Sequence, residues 1–106
     1  MTERQIVQKI TKYVKDNYKD IFWYKIPDIP RATTKKPFDV VGCYKGKAFA
    51  IEFKKPKGKL EAHQAENLEL FMVSGGHVSV TILRDDMKEN YQLVDDFLQI
   101  ILTRGR

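Results

Sequence analysis

The sequence predicts a single α/β domain, residues 1–106, with element order αβββαβα and a central mixed four-stranded sheet flanked by helices. Apolar residues recur at helical spacing in three separated stretches, and four short β-branched or aromatic stretches lie between them. The hairpin in the middle is apolar on both faces, as a strand pair is when helices cover both sides of the sheet. A chain of 106 residues with no repeat, low-complexity tract or linker has room for one domain of ordinary size.

The first stripe, Ile6, Val7, Ile10, Val14 and Tyr18, marks a helix over residues 3–18, with Thr2 as N-cap and Gln5 completing a capping box. Residues 21–26 (IFWYKI) are aromatic and β-branched and read as a strand. Residues 27–37 carry three prolines and two threonines and read as an irregular loop. Residues 38–43 (FDVVGC) and 47–54 (KAFAIEFK) read as hairpin strands joined by Tyr44-Lys45-Gly46. One face of that hairpin carries Phe38, Val40, Phe49, Ile51 and Phe53, and the other Val41, Cys43, Ala48 and Ala50. Leu60, Gln64, Leu68, Phe71 and Met72 form a second helical stripe, closed by Ser74-Gly75-Gly76. Residues 77–83 (HVSVTIL) alternate as a fourth strand. After the charged turn at Arg84-Asp85-Asp86, the residues Leu93, Val94, Phe97, Leu98, Ile101 and Leu102 mark a third helix.

Charge narrows the function. The chain holds 19 Lys and Arg against 14 Asp and Glu, a net +5 with a pI near 9.3. Residues 25–59 alone carry +7, with Asp28, Asp39 and Glu52 as their three acids, and the rest carries −2. So concentrated a basic field attracts polyanions, and nucleic acid is favoured over lysines that merely solvate loops. The single cysteine, Cys43, excludes an internal disulfide framework and a Cys-based zinc site, and it suits a reducing compartment. The N-terminal segment MTERQIVQKI is too charged for a signal peptide, and no apolar run approaches the ~20 residues of a membrane span. The expected setting is intracellular and cytoplasmic, away from membranes.

Two of the three acids are out of place. A two-residue turn at Lys45-Gly46 puts Asp39 opposite Glu52 on central strands, with Lys54 on the same face. Like charges facing each other there are destabilising unless something compensates, and a divalent cation does. Glu3, four residues before Val7, lies on the buried stripe of the first helix, although a first-turn Glu also suits the helix dipole with no further role. Gln64, four residues from Leu60 and Leu68, faces inward. His63 and His77 lack metal-type spacing and read as surface or packing residues. Cys43 reads as a small core residue, while Trp23 and Tyr24 pack the first strand with one of them facing outward.

With these residues in view, the chain resembles the PD-(D/E)XK nuclease superfamily, most of all its small Holliday-junction-resolvase-like and virus-type replication-repair nucleases. The resemblance runs from Glu3 to about Leu83. It rests on Thr2-Glu3-Arg4, Pro37-Phe38-Asp39, Ile51-Glu52-Phe53-Lys54, Gln64 and the Gly75-Gly76 break. Phe38 intervenes where the family usually joins Pro directly to Asp, and residues 57–60 lack the Ser or Thr cap often found there. The resemblance implies a restriction-endonuclease-like fold and Mg²⁺ or Mn²⁺ held by Asp39, Glu52 and the Phe53 backbone carbonyl. Glu3 would complete or orient that site. It further implies that Lys54 activates water or stabilises charge on the phosphate, with Gln64 orienting it.

The implied activity is a magnesium-dependent endodeoxyribonuclease, a phosphodiester hydrolase of DNA recombination and repair. It would select branched DNA and act as a homodimer, since a junction needs two cuts. Arg31, Thr33, Thr34, Lys35 and Lys36 in the proline-rich loop, and Lys55, Lys57 and Lys59 after the third strand, offer contacts to the DNA phosphates. A general nickase, a restriction- or flap-type nuclease, and a catalytically silent nucleic-acid-binding module of the same fold are the alternatives.

Overall fold

Thr2 and Gln5 start the first helix by satisfying each other's backbone. Gln5 N–H donates to Thr2 Oγ1 at 3.2 Å, and Thr2 N–H donates to Gln5 Oε1 at 2.8 Å. From there a computed structural model describes residues 1–28 and 35–104. The elements are α1 (Glu3–Asn17), β1 (Ile21–Lys25), β2 (Val40–Tyr44), β3 (Lys47–Lys54), α2 (Ala62–Val73), β4 (His77–Ile82) and α3 (Met87–Thr103), in the αβββαβα order expected. They build one four-stranded sheet in the order β1-β2-β3-β4. The first two pairings are antiparallel, and β3 pairs β4 in parallel through the α2 crossover.

The hairpin register follows from its turn. Lys45 and Gly46 both take positive φ, 49° and 82°, as a two-residue type I′ turn requires. Tyr44 therefore faces Lys47 and Val40 faces Ile51. At the centre of β2, Gly42 lies across from Trp23 and Phe49. A Cβ there would fall 2.1 Å from the Phe22 carbonyl oxygen and 2.5 Å from the Phe49 ring.

The two faces of the sheet differ. Trp23, Val40, Phe49, Ile51 and Phe53 pack against Ile6, Val7, Ile10 and Val14 of α1 and Val94, Leu98 and Ile101 of α3. On the other face α2 brings Leu68 onto Ala50, with Val41, Phe71 and Val78 partly buried around them. Phe38, expected on the α1/α3 face, joins this second cluster instead, its ring 5.7 Å from Phe71 in an edge contact. Strand β2 begins only at Val40, so strand alternation does not govern Phe38. The second helix also starts later than its apolar stripe suggests. Glu61 is the N-cap, Leu60 lies outside the helix and is exposed, and Met72 turns to solvent, leaving Gln64 and Leu68 as the buried positions. Trp23 faces the core while Phe22 and Tyr24 face outward, and Cys43 is half-buried where a core position was expected. Among the described residues no helix is long and apolar enough to cross a membrane.

Candidate active site

Asp39 is fixed by backbone before its side chain does anything. Its carbonyl accepts from Ile26 N–H at 2.8 Å, and its own N–H donates to the Ile51 carbonyl at 3.1 Å, pinning it between the ends of β1 and β3. Just before β2, the Asp39 carboxylate takes over as a ladder acceptor, with Oδ2 accepting from Phe53 N–H at 2.8 Å. Its other oxygen, Oδ1, lies 2.8 Å from Lys36 Nζ.

Glu52 stands on the central strand β3 and is only 2% exposed. Its Oε2 accepts from Gln64 Nε2 at 2.8 Å and lies 3.3 Å from Lys54 Nζ. Its Oε1 is buried and has no hydrogen-bond partner among the described residues. Burial, reinforced by the neighbouring Asp39 charge, pushes the Glu52 carboxyl up to about 7, against the opposing pull of Lys54. Gln64 is held from both ends, because its Oε1 accepts from Glu61 N–H at 3.1 Å while its amide donates to Glu52. The helix start that lacks a Ser or Thr is thus closed by the same side chain that orients the acid.

These groups line one cleft of about 350 Å³ where the N-terminal ends of α1 and α2 meet the site end of the sheet. Five residues singled out from the sequence, Glu3, Asp39, Glu52, Lys54 and Gln64, share its wall with Lys36. Arg4, Lys25 and Asp28 line it too, and nothing in the sequence pattern assigned them there. Arg4 sits beside Glu3 and Lys25 ends β1, so a helical and a strand projection read together could have found both. Among the described residues no three His, Cys, Asp or Glu side chains gather into a cation cluster. Asp39 and Glu52 act on each other there, and Glu3 and Asp28 also line the cleft.

Lys36, one of the expected phosphate contacts, bridges Asp39 and Asp28, 2.8 Å from an oxygen of each. Burial alone would lower its pKa, but the two carboxylates outweigh that and hold it above the ordinary lysine value. The hydrogen bond from Lys36 in turn holds Asp28 below the usual carboxylate value. Lys35, Lys55, Lys57 and Lys59 are exposed in the chain segments that flank the cleft residues. Lys57 takes φ 70° inside a turn closed by Gly58 N–H to the Lys55 carbonyl at 2.9 Å, a conformation that favours glycine and costs a lysine on the order of 1 kcal/mol. Arg31, Thr33 and Thr34 lie outside the described residues. His63 is half-buried with its ring 3.3 Å from Glu61, in keeping with a surface role. No protein-family model and no curated protein matches the chain.

The donor set suits a small hard cation. Two carboxylates supply oxygen, a buried carboxylate oxygen has no partner among the described residues, and the cleft leaves room for water, which Mg²⁺ retains in such sites.

Proposed function

We propose that this protein is a metal-dependent DNA endonuclease that selects branched DNA. The observation that carries the reading is Glu52: a carboxylate 2% exposed, with one oxygen unpartnered among the described residues, in a cleft shared with Asp39 and Lys54. Burying a carboxylate with one oxygen left unpartnered among the described residues is costly even beside Lys54 and Gln64, and such a cost is retained where the charge does chemistry. Asp39 Oδ1, Glu52 Oε1 and the Phe53 carbonyl would hold Mg²⁺ or Mn²⁺. When bound, the cation supplies charge for the phosphate and a lowered pKa for the attacking water. Lys54 aligns that water or meets the charge on the phosphate. Gln64 keeps Glu52 turned into the cleft, and Glu3 stands on the wall to bind an outer water. A new P–O bond forms to the water oxygen as the opposite P–O ester bond breaks. The water proton passes to solvent and the leaving oxygen takes one up.

The exposed lysines supply backbone contacts, which hold DNA by shape and charge without reading bases. Cutting a four-way junction takes two such sites, so the acting form is a homodimer. The test is cleavage of a mobile four-way junction, a flap and a linear duplex with Mg²⁺, beside Asp39→Asn and Glu52→Ala. Paired nicks on the junction, lost in both variants while binding persists, support the reading. Equal cutting of all three substrates points to a general nuclease. Binding without cutting, with Mn²⁺ also tried, leaves a nucleic-acid-binding module.

A further inference from the structure

Four carboxylate oxygens belong to Asp39 and Glu52, and two of them are already engaged by neutral or fixed donors. Asp39 Oδ2 accepts from Phe53 N–H, and Glu52 Oε2 accepts from Gln64 and faces Lys54. Two remain for a cation: Glu52 Oε1, without a partner among the described residues, and Asp39 Oδ1, against which Lys36 Nζ lies at 2.8 Å. The Lys36 side chain is 22% exposed, and its second anchor, Asp28, is 70% exposed at the mouth of the cleft. The ammonium therefore hangs between an inner carboxylate and an outer one.

We propose, resting on the metal-site reading above, that Lys36 is the built-in counter-cation of Asp39. A divalent ion has to displace it, and the freed ammonium then serves the substrate phosphate. The physical reason is Coulombic. A unit charge within about 4 Å of a seat for a doubly charged ion repels that ion strongly in a half-buried site. A phosphate arriving at the cleft offers Lys36 a replacement for Asp39, while Asp28 keeps the side chain at the mouth. Metal and DNA consequently bind cooperatively, each easing the release of Lys36 from Asp39, and the coupling is reciprocal. Metal alone meets an occupied ligand, which guards against a loaded site without substrate.

The test is isothermal titration of Ca²⁺ into the full chain, with and without a linear DNA duplex, for the unaltered protein, Lys36→Met, Lys36→Gln and Lys25→Met. Without DNA, both Lys36 variants are expected to bind Ca²⁺ at least about tenfold tighter than the unaltered protein. Lys25→Met removes a charge from the same cleft that acts on Asp28 through space but forms no ion pair with Asp39 or Glu52 among the described residues, and is expected to change affinity less than about threefold. DNA is expected to tighten Ca²⁺ binding about tenfold in the unaltered protein and less than threefold in the Lys36 variants. Lys36→Gln removes the charge but keeps a polar side chain, and urea midpoints of both Lys36 variants close to that of the unaltered protein exclude misfolding as the cause. Equal Ca²⁺ affinity in Lys36→Met and the unaltered protein overturns the proposal and leaves the metal site standing. An equal gain from Lys25→Met also overturns it, reducing the effect to general charge. Absence of Ca²⁺ and Mn²⁺ binding in every form, with Glu52→Gln indistinguishable, overturns the proposal and the metal-site reading together.

Discussion

The two faces of the sheet are built from the same strands to opposite ends. Toward α1 and α3 the alternate positions of β2 and β3 include Val40, Phe49, Ile51 and Phe53, none of these four more than 1% exposed. Toward α2 the intervening positions run from Ala48 and Ala50 to Glu52 and Lys54, and that helix covers only part of the face, leaving Phe22, Tyr24, Val80 and Ile82 exposed. The first face removes apolar surface from water and carries the stability. The second holds small residues, the buried acid Glu52, whose burial costs stability once it is charged, and Lys54 beside it. A period of two lets one strand serve both ends, because neighbouring residues never share a face.

The contrast breaks most visibly at Phe49. Its ring is fully buried, 5.9 Å from Trp23 and 6.1 Å from Phe97 by centroid, and it fills the space above Gly42. Phe49→Ala is expected to cost about 3–5 kcal/mol in urea denaturation, since a cavity adds to the lost transfer energy. A loss under about 1 kcal/mol would mean the α1/α3 face does not carry the fold.

The opposite sign is expected one face away. Between its ordinary value of 4.5 and about 7, the folded protein keeps a proton on Glu52 that the unfolded chain has released. Stability from this group is therefore fully present below the unfolded value and is lost as pH rises through about 7. Glu52→Gln removes the titration and leaves the hydrogen bond to Gln64 available. The variant is expected to match the unaltered protein near pH 4 and to be more stable by about 2–3 kcal/mol near pH 8, while losing the DNA cleavage proposed above. A stability difference that is the same at both pH values would sink the assignment of that cost to the buried carboxylate.

How much of this was legible follows from which interactions are local. The facing of Asp39 and Glu52 followed from supposing a two-residue turn at Lys45-Gly46, and the positive φ of both residues and the Val40–Ile51 pairing show that the chain turns there. Gln64 was legible through helical spacing, although its second bond, to Glu61 N–H, needed the true start of α2. The bridge from Lys36 to Asp28 and Asp39 was not legible, because it depends on the path of a proline-rich segment with no period to read. Phe38 escaped for a related reason: one residue short of a strand, it follows the loop and not the pleat. Asn90 was missed although a signal existed. It sits four residues before Val94 on the buried stripe of α3, fully buried, and its side chain takes both the N–H and the carbonyl of Arg84.

The smallest effect is expected at the shortest ion pair of the chain's described residues, and it sharpens the comparison from outside both faces. Lys12 Nζ lies 2.6 Å from Asp16 Oδ2, closer than Lys36 lies to either of its acids. Both side chains, however, are more than half exposed and one helical turn apart on α1. Water and salt screen such a pair, and ordering two long side chains offsets what attraction remains. Lys12→Ala is accordingly expected to leave the urea midpoint and the melting temperature unchanged within error, at low and high salt alike. A clear loss that disappears at high salt would show that surface charge, and not the apolar face beneath it, holds α1 to the sheet. Distance alone does not rank these ion pairs: what separates Lys36 from Lys12 is the half-buried cleft in which Lys36 bridges two acids.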